Sequence, residues 1–290
     1  MNINFTKPLL ALCLCLPLGG QNVASPPAAE DAYECPMDHD VRSPNPGVCP
    51  RCGMTLIPWV ADPREYAVRI ATQPAALTPG RPARLFLEIV DPATGARVKS
   101  FREVHTKLLH LFLVSDDLQW FAHEHPLLDA DHRFHLDVTL PKPGIYRVLA
   151  DFYPAEGTPQ LAPQTLIASG DAGTPAPISA DLQPKDTANL HAELVTDPPV
   201  PIAGQKTRLF LRIKPGEGLE PYLGAWAHLL GASDDLIDLI HEHPWSAGGG
   251  PEMQFNLVFP RARMYRLWIQ LQRKGVVNTA VFTVPVKNLD

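Results

Sequence analysis

Residues 77–89, LTPGRPARLFLEI, return as residues 201–213, PIAGQKTRLFLRI, and the landmarks that follow the first copy follow the second in the same order. His123-Glu124-His125-Pro126 recurs as His241-Glu242-His243-Pro244, and Leu140-Pro141 with Ile145-Tyr146-Arg147 recurs as Phe259-Pro260 with Met264-Tyr265-Arg266. A unit of about 100 residues is a typical single domain, so a duplication at this spacing means one fold built twice. It predicts repeats at residues 66–170 and 190–290, joined at 171–189 by a linker rich in Gly, Pro, Ala, Asp and Thr.

Each repeat reads as all-β. Residues 84–89, 107–114, 118–125, 134–140 and 145–152 are short runs of alternating or fully apolar character, separated by Pro, Gly and Asp turns. With 32 prolines and no long helical periodicity, the chain favours short strands. The expected class is mainly β, with two tandem immunoglobulin-like β-sandwich repeats; a cupredoxin-like topology is the alternative.

The duplicated histidines follow from a register argument. A hairpin centred on Asp116-Asp117 sets His110 opposite His123, and one centred on Asp234-Asp235 sets His228 opposite His241. Facing residues have Cβ atoms about 4.5–5.5 Å apart, and the period of two places His125 beside His123 and His243 beside His241. Three imidazoles per repeat form a set for Cu(II) or Zn(II). The competing reading makes His110 a core residue, since Leu108, Phe112 and Val114 share its face. His132 and His135 occur in the first repeat alone, and His105 and His191 read as surface or packing residues.

Ahead of the repeats, residues 33–58 place three cysteines, two methionines and a histidine in a stretch too short for an ordinary core. Cys49-Pro50-Arg51-Cys52 has the C-x2-C spacing that lets both sulfurs converge from one turn, and Gly53 supplies the positive φ that turn needs. Cys35 has no such partner, so a fourth donor comes from Met37, His39, Met54 or an aspartate. Three thiolates with thioether or imidazole support select soft Cu(I) or Ag(I) ahead of a structural zinc. Tyr33, Cys35-Pro36-Met37, Val41, Pro46-Gly47, Cys49-Pro50, Cys52-Gly53-Met54, Leu56 and Pro58 resemble the short heavy-metal-binding domain of copper and silver efflux adaptors and metal-pumping P-type ATPases. That family usually reads CPMHP where this chain reads Cys35-Pro36-Met37-Asp38-His39. The resemblance covers this segment alone and implies heavy-metal binding.

Lys7, an apolar run at 8–19 and small residues before Ser25-Pro26-Pro27 have the layout of a secretory leader, here residues 1–25, with a linker at 26–32. The run is too short to span a bilayer and no later one is apolar enough, so the mature chain is expected to have no transmembrane segment. Leu12 and Leu14 before Cys13 and Cys15 disfavour lipid anchoring. Without the leader three of the five cysteines remain, an odd number suited to a metal rather than to paired disulfides. Net charge of −6, from 25 basic against 31 acidic residues, argues against nucleic acid.

These readings converge on a periplasmic or secreted copper- or silver-binding protein that stores, delivers or confers resistance to metal, with metal ions, an efflux pump or a metallochaperone as partners. A zinc-stabilised adaptor of an efflux system is the alternative, although the long heptads of a complete adaptor are missing. Catalysis is the weakest reading: His-Glu-His-Pro is not the helical H-E-x-x-H of zinc proteases and there is no G-x-S-x-G elbow, so an enzyme would need an open three-histidine site that activates water.

Overall fold

A computed structural model describes residues 33–38, 41–58, 64–245 and 248–289. His39, the leader and the linker at 26–32 lie outside the described residues. All described elements are strands. The short module contains β1 (Tyr33–Glu34), β2 (Arg42–Ser43) and β3 (Ile57–Pro58), in the order β2-β1-β3.

The first repeat runs through β4 (Ala67–Gln73), β5 (Ala83–Val90), β6 (Phe101–Arg102), β7 (Leu109–Ser115), β8 (Phe121–Glu124), β9 (Leu127–Leu128), β10 (Phe134–Val138), β11 (Gly144–Pro154) and β12 (Gln160–Ala168). The second runs through β13 (Lys185–Asp186), β14 (His191–Asp197), β15 (Lys206–Lys214), β16 (Leu219–Glu220), β17 (His228–Ser233), β18 (Leu239–Glu242), β19 (Glu252–Val258), β20 (Met264–Arg273) and β21 (Val276–Pro285).

Each repeat is an antiparallel sandwich. In the first, the sheet β4-β5-β10-β9 faces the sheet β12-β11-β7-β8; in the second, β13-β14-β15-β19 faces β16-β20-β17-β18, with β21 also on β20. Leu85, Leu87, Leu111, Phe134, Tyr146 and Phe152 fill the first core, and Leu209, Leu211, Phe255, Tyr265, Leu267 and Phe282 the second. Tyr146 donates its hydroxyl to the Lys142 carbonyl at 2.8 Å, and the Tyr265 hydroxyl accepts from the Arg261 amide at 3.2 Å while donating to Asp238 Oδ2 at 2.7 Å. A tyrosine bonded back across the corner that enters this strand marks immunoglobulin-like sandwiches.

Alternation along β7 and β17 determines how the repeats meet. Leu109, Leu111 and Leu113 turn into the first core. His110, Phe112 and Val114 turn outward, yet all of β7 is buried, because the second repeat covers that face. Phe112, Val114, Leu118 and Leu149 pack with Leu230, Ala232, Leu236 and Trp268 in a core between the repeats. Ile178, within the stretch read as a linker, packs against it too.

Trp268 is 3 % exposed and stacks on Phe121 of the other repeat at 5.2 Å. Trp268→Ala is expected to destabilise the chain by about 3–5 kcal/mol in denaturant melts, and a change under about 1 kcal/mol would mean that this boundary is not a true core.

The module sits against both repeats, within one compact unit. Ile57, Met37 and Met54 pack with Val104 and Tyr153, and the Arg51 guanidinium lies 3.3 Å over the Trp245 ring. Among the described residues, no helix is long and apolar enough to cross a membrane.

Candidate metal centres

The module's turn forms as its spacing requires. The Gly53 amide donates to the Cys49 carbonyl at 2.9 Å, and Gly53 takes a φ of +78. No atom lies within 4 Å of where a Cβ would stand, so the constraint on Gly53 is conformational rather than steric. Cys35, Cys49 and Cys52 are free thiols, and together with Asp38 their donor atoms lie within 4.8 Å of one another.

Cys35 Sγ and Cys52 Sγ are 3.4 Å apart, and the Cys49 thiol donates to Asp38 Oδ2 at the same distance. Sulfurs about 2.3 Å from a shared tetrahedral ion sit roughly 3.8 Å apart, so little adjustment is needed to close the set. The hydrogen bond from Cys52, opposed by burial, brings the Cys35 thiol down to about 7. The same bond pushes Cys52 up, and burial raises Cys49. Cys35 is therefore the first thiolate.

Of the candidate fourth donors, the structure brings Asp38 into the set. Its carboxylate also accepts from Arg51 Nη1 at 3.2 Å. Met37 packs beside Cys35, Cys49 and Leu56, and Met54 packs at the contact with Val104 and Tyr153.

The repeat histidines meet, but not in the expected register. Phe112, not His110, faces His123, and Leu230, not His228, faces His241. The reason is the loop. Ser115 pairs with Trp120 through its amide, Asp117 accepts from the Ser115 hydroxyl and the Gln119 amide, and Leu118 adopts φ 58; Ser233, Asp235 and Leu236 repeat the pattern. The turn is thus centred one residue later than Asp116-Asp117, which slides the partner strand by two. A slip of two keeps every side chain on its face, so His110 continues level with His125 and diagonal to His123. The sets His110, His123, His125 and His228, His241, His243 each have donor nitrogens within 4.8 Å of one another.

The hydrogen bonds determine which nitrogens are free. A carbonyl only accepts, so His110 Nε2–H donates to Val104 O and His228 Nε2–H to Tyr222 O, both at 2.9 Å, which leaves each Nδ1 with a bare lone pair. His123 Nδ1–H donates to Gln270 Oε1 at 2.9 Å while the Gln270 amide nitrogen donates to Thr279. His123 Nε2 then presents a second lone pair 3.1 Å from that of His110, an arrangement that calls for a cation between them. In the second repeat His241 Nδ1–H donates to Asp151 Oδ2 at 2.7 Å, and His243 Nε2 lies 2.8 Å from the bare Nδ1 of His228.

Among the described residues, nine buried side-chain polar atoms have no partner, and four of them are imidazole nitrogens gathered at this boundary: His105 Nε2, His125 Nε2, His241 Nε2 and His243 Nδ1. Native proteins rarely leave such atoms unsatisfied, at about 1–3 kcal/mol each, whereas ligands awaiting a metal look like this. A carboxylate, amide or carbonyl that holds the other ring N–H and so fixes the tautomer is likewise the habit of metal-bound imidazoles.

Burial lowers the histidines: His123 to about 2, His105 to about 3 and His125 to about 4, with His110, His228 and His243 moved the same way. They are neutral at pH 7, the form that binds metal. Burial pushes Asp151 up, but its bond from His241 and the surrounding imidazoles bring it net below the usual carboxylate range.

Three participants escaped the sequence reading. His105, expected at the surface or in ordinary packing, is buried and stacks on His243 at 4.1 Å. Its φ is 48, and Leu223 holds the matching place in the second repeat with φ 51. Asp151 and Gln270 stand at corresponding points of β11 and β20, opposite His110 and His228. A single polar residue inside the apolar runs VLADF and LWIQL was the available signal. His132 and His135 are not in either set.

Two family descriptions match the chain. The family described as Domain of unknown function (DUF8832) matches residues 61–170 and again 186–288, and the family described as Heavy metal binding domain matches residues 32–58. No curated protein matches the chain. Solved structures with some likeness include the Escherichia coli adhesin FdeC, at 16% identity over 81% of this chain and 68% of that one, with a TM-score of 0.26. Others are the FN1-FN3 domains of chicken CNTN1, at 7% over 86% and 71% with a TM-score of 0.22, and a putative membrane anchored protein of Corynebacterium diphtheriae, at 10% over 79% and 60% with a TM-score of 0.24.

Proposed function

Because the chain belongs to the DUF8832 family and carries a heavy metal binding domain ahead of its two repeats, we propose that it is a periplasmic or secreted copper- or silver-binding protein. The observation that carries this reading is the meeting of three free thiols, two of them fully buried, within one donor group. Thiolates on a compact scaffold hold Cu(I) and Ag(I) by softness. The histidine sets take Cu(II) or Zn(II). The role is to store metal, to deliver it to an efflux pump or metallochaperone, or to confer resistance. Binding rather than catalysis is the activity, and the leader-like residues 1–25 support export.

Asp38 favours one second reading. A hard carboxylate as fourth donor suits zinc better than it suits Cu(I), which would make the module a structural zinc site. Metal analysis of the chain under reducing conditions, with Cu(I), Ag(I), Cu(II) and Zn(II) in competition, separates the two. Preference of the thiolates for Cu(I) or Ag(I) upholds the proposal; a zinc preference with local unfolding on chelation replaces it.

A further inference from the structure

The two histidine sets, one in each repeat, face each other across the boundary. Across the boundary, His123 and His228 have ring centroids 5.5 Å apart, His110 and His228 6.0 Å, His110 and His241 6.3 Å, and His123 and His241 6.5 Å. The bonds that orient the ligands cross the same boundary. Asp151 of the first repeat holds His241 of the second, and Gln270 of the second holds His123 of the first. Neither set has its full support unless both repeats are in place.

The exchange is reciprocal in position but not in chemistry. Asp151 and Gln270 are register partners of His110 and His228 on equivalent strands, so they are one place in the duplicated fold filled by a carboxylate in one copy and an amide in the other. A carboxylate behind an imidazole raises its basicity and strengthens it as a ligand to a divalent ion, whereas a neutral amide orients without adding charge. His241 Nε2, the atom opposite that carboxylate, is one of the buried nitrogens without a partner.

We propose that the six histidines form a single dinuclear metal centre spanning the repeats, with an inherently stronger half at His228, His241 and His243 and a weaker half at His110, His123 and His125. This rests on the reading of the histidines as ligands. Ring spacings of 5.5–6.5 Å, with ions roughly 2 Å from their donor nitrogens, place the two metals within about 10 Å of each other.

Paramagnetic Cu(II) tests this in the full chain once one equivalent of Ag(I), which is diamagnetic and prefers sulfur, has occupied the thiolates. The first Cu(II) equivalent is expected to give an isolated-ion electron paramagnetic resonance spectrum, and the second a dipolar-broadened spectrum with a half-field transition. Two additive spectra without that transition would overturn the single centre while leaving metal binding by the histidines intact. No Cu(II) at the histidines would overturn both, with Ag(I) uptake still reporting separately on the module.

Inequality is tested by Asp151→Asn, expected to weaken the first Cu(II) step by about 10- to 100-fold and bring the two steps together. Gln270→Glu serves as the second variant, keeping Asp151, and is expected to tighten the second step by a similar factor. Melting of each metal-free variant reports folding independently of binding. Two equal steps in the parent chain, or steps unmoved by both substitutions, would overturn the assignment of a stronger half.

Discussion

A chain carrying Cys49→Ser and Cys52→Ser is expected to lose its tightest Cu(I) site, with affinity falling by more than about a thousandfold, or about 4 kcal/mol. Two of the three soft donors go, and serine hydroxyls do not replace them. Cys35 remains, but without the Cys52 hydrogen bond that lowers its thiol, and Asp38 beside it is a hard donor that does little for Cu(I). The measurement is competition against a chromophoric Cu(I) chelator. The histidine sets serve as an internal control, because their Cu(II) affinity should stay within about threefold of the parent. Unchanged Cu(I) affinity would show that the thiolates are not the site.

The metal-free chain should lose much of its stability between pH 6.5 and pH 5. His105 and His123 titrate in the fold at about 3 and about 2, against about 6.5 in an unfolded chain. The unfolded state thus binds more protons throughout that window, and stability falls as pH drops from 6.5 toward the folded values. Each histidine contributes up to about 1.4 kcal/mol per pH unit, so the two together remove up to about 4 kcal/mol at pH 5, a large part of a typical net stability of about 5–15 kcal/mol. His228 and His243 push in the same direction. Asp151 is lowered by its His241 bond, so its contribution is lost only as pH falls below the ordinary carboxylate value near 4, outside this window. Denaturant titrations after chelation, at pH 7.5 and pH 5, measure the difference, and Zn(II) should move the loss to lower pH. Equal stability at both values would mean that these imidazoles are not buried as described.

Much of this was legible in the residues. The duplication, the strands and the Cys-Met module follow from patterns that local chemistry enforces, and the positive φ at Gly53 is what a tight C-x2-C turn demands. Histidines at alternate positions were assigned to the right face, because a slip of two preserves it. Their partners were not, since nothing about Leu118 or Leu236 announces a left-handed backbone; the loop is set by Asp117 and Asp235 capping it. The pairing of repeats was hidden for a different reason. A strand buried on both faces, such as LHLFLVS, reads the same whether a second sheet of its own domain or another domain covers it. His105, Asp151 and Gln270 have meaning only once that cover is known.

The unlike residues behind His241 and His123 have a consequence for how such a protein arises. In a homodimer of single repeats, two-fold symmetry would compel whatever stands behind one copy's histidine to stand behind the other's. Joining the copies in one chain lifts that compulsion, so a carboxylate on one side and an amide on the other become separately selectable. It also removes dilution as a hazard: the tether keeps each half at roughly millimolar effective concentration of the other, so a solitary molecule holds both halves together where an untethered pair would drift apart.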